Sequence, residues 1–243
     1  MNFRDFLKEN IVRLDGGMGT LLQAEGLAAG ELPERWNVTH PEVIRQIHED
    51  YLAAGSDVIS ANTFGANVLK FGDELEDIIV AGLNNVRTAI SRLAPEKQAD
   101  RYVAFDIGPL GKMLQPLGDL PFEDAVEIFA KSIRIAARHG ADLIFIETMN
   151  DSYEAKAAVL AAKENCDLPV FITCVYDAQA KLMTGADPAA MRDAARAAQR
   201  LELMGKTQVQ LIVNRVSRRL FSTMSVTVDD VMDTAGLPLI GVV

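Results

Sequence analysis

The sequence predicts an α/β fold in which short parallel strands alternate with helices. Five times a brief apolar run is followed by a longer segment, and this alternation is typical of strands joined by helical crossovers. Every strand of a (β/α)8 barrel brings its carboxyl end to one catalytic face, whereas an open doubly wound sheet concentrates its ligands at one switch point. Polar residues close most of the predicted strands, which favours the barrel, with the open sheet as the alternative. These residues are Asp15, Asn62, Thr63, Asp106, Glu147 and Thr148.

The individual elements follow from apolar periodicity and from local signals for helix ends. Thr39 is predicted to cap the helix 39–55, because Pro41 lies in its first turn and Glu42 completes a capping box. Gly55 is predicted to end that helix. A loop over residues 25–39 is expected to hold the one tryptophan, Trp36. The predicted strands are 11–14, 57–61, 102–106, 142–146 and 170–175, and the other helices are 73–93, 121–139 and 152–163.

Composition excludes several classes of function. The 243 residues have a formal net charge of −10, which disfavours non-specific binding to nucleic acid. No stretch is apolar enough to predict a membrane span, and the N-terminus lacks the apolar core of a signal peptide. The two cysteines, Cys166 and Cys174, do not make a disulfide framework. We therefore expect a protein of a reducing compartment, the cytoplasm.

A glycine-rich turn near the N-terminus is the first candidate binding element. The predicted strand 11–14 delivers Asp15 to Gly16-Gly17-Met18-Gly19-Thr20. Glycine permits a positive φ and allows the backbone to approach a ligand closely. The spacing is not that of a dinucleotide fingerprint. The turn therefore indicates either a carboxylate at the mouth of a glycine-lined pocket or an ordinary tight turn.

Five motifs occur in the order found in one protein family. They are residues 15–20, 36–44, 61–67, 108–111 and 140–149. Over residues 11–188 the chain resembles the homocysteine S-methyltransferase family, whose barrel also forms the homocysteine domain of cobalamin-dependent methionine synthase. The resemblance implies a (β/α)8 barrel that transfers a methyl group to the thiol of homocysteine to give methionine.

The resemblance also implies roles for individual residues. Asp15 and Glu147 would hold the substrate ammonium through charge-assisted hydrogen bonds. Gly16 and Gly17 would open backbone amides toward the substrate carboxylate. Asn62 and Thr63 would belong to the same substrate site, with loop capping as the alternative for both.

Zinc and a methyl donor complete what the resemblance implies. Zinc would keep the homocysteine thiol deprotonated yet nucleophilic. Donors in the family include methylated amino-acid derivatives, betaines and methyl-corrinoid carried on another domain or protein, and the donor of this chain stays open.

The cysteine content departs from the family pattern. The family's zinc is held by three cysteines, one in a Gly-x-Asn-Cys-like motif and two in a Gly-Gly-Cys-Cys-like motif, and this sequence has neither motif. Cys166 is predicted in a helix-to-strand loop and Cys174 inside a strand, both as structural residues. The three histidines have no metal-ligand spacing, so the sequence predicts no metal site.

The segment after residue 190 resembles something else. Residues 209–216, 227–233 and 237–243 are similar to the C-terminal part of septum-site-determining ATPases, in which Asn214 would approach the adenine. Gly205-Lys206-Thr207 lacks the first glycine of a Walker loop, so we expect no phosphate site there. Residues 1–190 carry 17 basic and 29 acidic side chains, and residues 191–243 carry 7 and 5. The predicted domains are therefore 1–190, the methyltransferase-like portion, and 191–243, the ATPase-like tail.

This junction leads to a specific expectation for the fold and the activity. We expect an incomplete barrel of about five native-like βα units followed by a foreign βαβ-like tail, with strands at 209–213 and 239–243 and a helix at 226–234. An unclosed barrel exposes strand edges. The function predicted is a homocysteine S-methyltransferase-like one, impaired by the missing cysteines. The alternatives are a non-catalytic amino-acid-binding or interaction remnant and a non-functional fusion or fragment.

Overall fold

The computed structural model describes residues 2–185 together with two short strands, residues 211–213 and 239–242. Within these residues the helices are α1 (Phe3–Glu9), α2 (Gly19–Ala24), α3 (Trp36–Thr39), α4 (Pro41–Ala54), α5 (Val68–Phe71), α6 (Leu75–Ser91), α7 (Pro95–Gln98), α8 (Phe122–Arg138) and α9 (Ser152–Asn165). The strands are β1 (Val58–Ser60), β2 (Tyr102–Ile107), β3 (Leu143–Met149), β4 (Val170–Cys174), β5 (Leu211–Val213) and β6 (Leu239–Val242).

Strands β1 to β4 form one sheet in the order of the chain. β1 and β2 pair in parallel, with Val58 opposite Tyr102 and Ser60 opposite Ala104. β5 and β6 form a second, parallel pair. The predicted α/β class and the parallel strand pairing are thus confirmed, and the incompleteness of the barrel stays a prediction.

The first predicted strand is reduced to a single bridge. Leu14 alone pairs with Val58, in parallel, and Ile11 is 92% exposed. The side chain of Arg13 turns to the buried carboxylate of Asp57, with Nε to Oδ2 at 3.0 Å. An ion pair and one bridge, rather than a regular ladder, therefore hold residues 11–14 against β1.

The start of α4 also differs from the prediction. Thr39 is the last residue of α3, and its hydroxyl donates to the carbonyl of Arg35. His40 occupies the N-cap position without a side-chain capping bond, so the predicted Thr39 cap is wrong. The capping box with Glu42 is wrong with it, whereas Pro41 opens α4 and Gly55 ends it with φ 106°, as predicted. The predicted loop 25–39 contains α3 and a 3₁₀ turn, Pro33–Arg35.

The chain divides into two compact units. The first comprises Met1–Ile107 and Lys131–Phe145, and the second comprises Gly108–Ala130 and Ile146–Val243. In the first unit Leu22, Trp36, Ile44 and Ile47 form a buried cluster against which Met18 and Tyr51 pack. This cluster joins α2, α3 and α4, and it contacts the glycine-rich turn through Met18.

Strands β5 and β6 occupy the predicted tail positions 209–213 and 239–243. The predicted helix 226–234, Asn214, Gly205-Lys206-Thr207 and the domain boundary at residue 190 lie outside the described residues, so these remain predictions. Among the residues that are described, no helix combines the length and the apolarity that a membrane crossing requires.

Candidate functional site

Asp15 is oriented by the end of β1. Its carboxylate accepts two hydrogen bonds from Ser60, one from the backbone amide at 2.8 Å and one from the hydroxyl at 2.9 Å. The backbone amide of Asp15 donates to the carbonyl of Val58 at 3.2 Å. Asp15 is half-buried, so the first unit presents a fixed carboxylate that solvent or a ligand can still reach.

Gly16, the first glycine after Asp15, serves a packing purpose that the sequence did not reveal. Gly16 and Gly17 are not among the residues with positive φ, so the expected left-handed turn is not what requires glycine here. A Cβ atom on Gly16 would lie 2.9 Å from the hydroxyl oxygen of Tyr51 and 3.1 Å from its Cε1. Close approach is therefore the reason for glycine, and the partner is the Tyr51 ring.

The same turn exposes a set of backbone donors. Among the described residues, no group accepts a hydrogen bond from the amides of Gly16 to Thr20. Backbone amides without an acceptor can donate to an anion such as a carboxylate. A fixed carboxylate is thus followed directly along the chain by a row of donors, the two kinds of group that an amino acid's ammonium and carboxylate require.

Asn62 and Thr63 lie in the first unit and are buried. The Asn62 amide nitrogen donates to the carbonyl of Pro33 at 2.9 Å and to Oδ1 of Asn37 at 3.0 Å. The Thr63 hydroxyl donates to the carbonyl of Asp106 at 2.8 Å. These bonds fasten the loop after β1, as the loop-capping alternative expects, and a substrate role for the two residues stays a prediction.

Glu147 belongs to the second unit and lies inside β3, which runs to Met149 rather than ending near residue 146. It is half-buried, like Thr148 after it. Thr148 has φ 60°, a left-handed conformation that costs a β-branched residue of the order of 1–3 kcal/mol. The amide of Thr148 donates to the hydroxyl of Thr173 at 2.8 Å, and this bond helps to hold the strained residue.

The second unit also contains a buried carboxyl group that the sequence analysis missed. Glu154 on α9 is 3% exposed, and its carboxylate accepts from the backbone amide of Leu110 at 2.7 Å. Burial raises the pKa of Glu154 to about 7, the Leu110 bond opposes the rise, and the charge of Asp151 adds to it. The sequence did carry a signal for this burial. Glu154 and the buried alanines at 157, 158 and 161 have the i, i+3, i+4, i+7 spacing of residues on one helix face.

The described residues do not fit a thiolate-bound zinc ion. They contain no group of three or more His, Cys, Asp or Glu side chains arranged to hold a metal. The thiol of Cys166, which directly follows α9, donates to the carbonyl of Ala162 in that helix. Cys174 is buried at the end of β4, and burial raises the pKa of its thiol to about 12. The whole sequence has only these two cysteines, so the set of three that the resemblance implies cannot form from this chain.

Comparison with known proteins decides the family. The sequence profile described as "Homocysteine S-methyltransferase" matches residues 12–214. The chain belongs to the homocysteine S-methyltransferase family. The match runs past residue 188, where the resemblance seen in the sequence ended, and so takes in the first part of the predicted tail. The similarity of that tail to septum-site-determining ATPases stays a prediction.

A curated relative and several solved structures agree with the family match. Over 199 residues the chain is 31% identical to the methionine synthase of Mycobacterium tuberculosis strain H37Rv. This alignment covers 75% of this chain but only 16% of that protein. The metallated and oxidised forms of the homocysteine methyltransferase MmuM from Escherichia coli superpose with TM-scores of 0.74 and 0.72, at 21% and 20% identity. Each alignment covers 98% of this chain and 93% of MmuM, and at this identity it establishes the fold alone.

Proposed function

We propose that this chain is a homocysteine S-methyltransferase-like protein that binds homocysteine and transfers methyl groups to it poorly. The observation that carries the proposal is the arrangement in the first unit, where a carboxylate fixed by Ser60 adjoins the unpaired amides of the glycine-rich turn. Family membership supplies the substrate class.

Asp15 would bind the ammonium group of homocysteine. Hydrogen bonds to an ionised partner are shorter and about twice as strong as neutral ones. Because Ser60 already orients the carboxylate, binding would require little ordering of this side chain. The amides of Gly16 and Gly17 would face the substrate carboxylate. The family resemblance assigns Glu147 to the ammonium as well, and the Glu147→Ala variant tests that role by itself.

Activation of the thiol is the step that this chain does not support. A thiol of ordinary pKa, near 8.5, is only a few per cent ionised at pH 7. The sequence has neither of the cysteine motifs that would hold zinc and keep the substrate ionised, and among the described residues Cys166 and Cys174 belong to no group of side chains arranged to bind a metal. We therefore expect binding to survive and methyl transfer to be slow, whichever class of donor is supplied.

Calorimetric titration of homocysteine into the wild type and Asp15→Asn tests the binding role. Asparagine keeps the shape of Asp15, and the Ser60 hydroxyl can rotate to accept from the new amide, so the loss is mainly that of charge. We expect the dissociation constant to rise ten- to a hundredfold, as for a hydrogen bond to a charged group. Asp50→Asn, on the exposed face of α4, is the matched control and should bind as the wild type does. Equal affinity in Asp15→Asn would overturn the assignment.

The missing cysteines favour a second candidate, a protein that binds homocysteine without any turnover. The two candidates differ in one observable, the methionine formed when homocysteine is incubated with methylated amino acids, betaines or methyl-corrinoid. Slow formation of methionine supports the first candidate. Binding with no product after prolonged incubation supports the second.

A further inference from the structure

Tyr51 lies directly against the glycine-rich turn in the first unit. It is near the end of α4, and its hydroxyl donates to the carbonyl of Gly17 at 3.0 Å. Its ring occupies the space in which a side chain on Gly16 would stand, with Cζ 3.2 Å from the Cβ position. Tyr51 and Met18 both pack on the buried cluster of Leu22, Trp36, Ile44 and Ile47. The turn is therefore fastened to this buried cluster by the hydrogen bond from the Tyr51 phenol and by the packing of Met18.

The hydrogen bond to Gly17 also determines where the next amide points. The peptide between Gly17 and Met18 is trans, since the described residues have their single cis bond elsewhere. A trans peptide directs its carbonyl and its N–H to opposite sides. Because Tyr51 holds the carbonyl of Gly17, the N–H of Met18 is directed away from the phenol. That N–H is one of the turn amides without an acceptor.

Tyr51 is also electrostatically coupled to Asp15. Burial, and then the negative charge of Asp15, raise the pKa of the Tyr51 phenol above its ordinary value. The phenol therefore remains protonated at neutral pH and keeps its single donor for Gly17. One side chain thus borders both the fixed carboxylate and the row of amides.

We propose that Tyr51 is a positioning residue, which holds the Gly16–Met18 turn so that its amides face the carboxylate group of the bound amino acid. The inference rests on the proposed function. It assigns Tyr51 to recognition of the substrate carboxylate, through the turn, and leaves recognition of the ammonium to Asp15. Recognition of the substrate carboxylate and recognition of the substrate ammonium can therefore be tested separately.

The test compares two ligands and two variants by calorimetry. The ligands are homocysteine and 3-aminopropanethiol, which has the same ammonium and thiol groups and no carboxylate. Tyr51→Phe removes the hydroxyl and keeps the ring. We expect its dissociation constant for homocysteine to rise about fivefold, as for the loss of one neutral hydrogen bond, and its affinity for 3-aminopropanethiol to stay within twofold of the wild type. Tyr153→Phe, an exposed tyrosine on α9, is the matched control and should change neither affinity.

The outcomes separate this proposal from the one on which it rests. If Tyr51→Phe weakens the two ligands equally, Tyr51 has a general structural role and the proposal is overturned. It is also overturned if the wild type binds homocysteine and Tyr51→Phe binds it equally well. Failure of the wild type to bind homocysteine contradicts the proposed function itself. Asp15→Asn should weaken both ligands, because both carry the ammonium, and circular dichroism of each variant establishes that it is folded.

Discussion

The two units hold their candidate carboxylates in different ways. In the first unit Asp15 is fixed directly, by two hydrogen bonds from Ser60 to its carboxylate oxygens. In the second unit Glu147 precedes a residue with a strained backbone, Thr148, which the hydroxyl of Thr173 helps to hold. A direct bond restrains the side chain alone, whereas a strained residue sets the path of the backbone that carries the side chain. The same predicted role is thus supported by a side-chain bond in one unit and by main-chain conformation in the other.

The units also differ in how they accommodate a buried carboxyl group. In the first unit burial of Asp57 would raise its pKa, but hydrogen bonds and charge from Arg13, with the charge of Arg101, lower it below its ordinary value. In the second unit Glu154 has the Leu110 amide as its hydrogen-bond donor, and burial dominates. A lowered pKa contributes stability that is lost as the pH falls, and a raised pKa contributes stability that is lost as the pH rises. The stabilising contribution of Asp57 is therefore lost as the pH falls, and that of Glu154 is lost as the pH rises.

The largest expected effect is the pH dependence caused by Glu154. Its pKa rises from 4.5 in the unfolded chain to about 7 in the folded one, so the folded state binds this proton more tightly. The resulting stabilisation is complete below about pH 4.5 and is lost as the pH rises through 7, with an upper bound of about 3 kcal/mol. Glu154→Gln keeps an acceptor for Leu110 and carries no charge. We expect its unfolding free energy to exceed that of the wild type by more at pH 8 than at pH 5, measured by urea denaturation.

Glu164→Gln is the matched control for that comparison, because Glu164 lies on the same helix and is exposed. Its unfolding free energy should follow that of the wild type at both pH values. A difference between Glu154→Gln and the wild type that is the same at pH 5 and pH 8 would mean that Glu154 does not titrate between them.

A smaller effect is expected at the strained end of β3. Thr173→Val keeps the shape of the side chain and removes the oxygen that accepts from the Thr148 amide, which leaves a partly buried donor unpaired. We expect a loss of about 2 kcal/mol in the free energy of unfolding, together with weaker homocysteine binding if Glu147 contacts the ligand. Thr173→Ser retains the hydroxyl and loses one methyl group, which is worth about 0.8 kcal/mol. Equal losses in the two variants would show that the hydrogen bond does not support Thr148.

Much of the fold could be predicted from the sequence, because apolar periodicity and helix-end residues act locally. Pro41 and Gly55 bound α4 as predicted, and the four strands of the main sheet lie where apolar runs indicated them. One wrong prediction came from a contact distant in sequence, because the segment 11–14 is held by Asp57, 44 residues from Arg13, rather than by a regular ladder. The other came from a local competitor, since the Thr39 hydroxyl donates to the carbonyl of Arg35 four residues earlier and His40 takes the cap position.

The supporting residues of the candidate site were harder to predict than the motifs themselves. Asp15 and the glycines stand out as a pattern, but Ser60 and Tyr51 act on them from 45 and 34 residues away. A serine at a strand end and a tyrosine in a helix are ordinary in composition, so no local signal distinguishes them. Glu154, which is not part of that site, did carry a readable signal, namely a carboxyl group at a position whose helical spacing marks a buried face.

The metal dependence of homocysteine binding shows whether the first unit recognises the amino-acid part of the substrate without a metal–thiolate bond. Homocysteine would be titrated into the wild type after treatment with EDTA and again with stoichiometric zinc, with a blank titration to account for zinc–homocysteine complexes in solution. We expect the two dissociation constants to agree within about twofold. Binding that requires zinc, or that is tightened tenfold or more by it, would mean that a metal–thiolate bond carries the recognition.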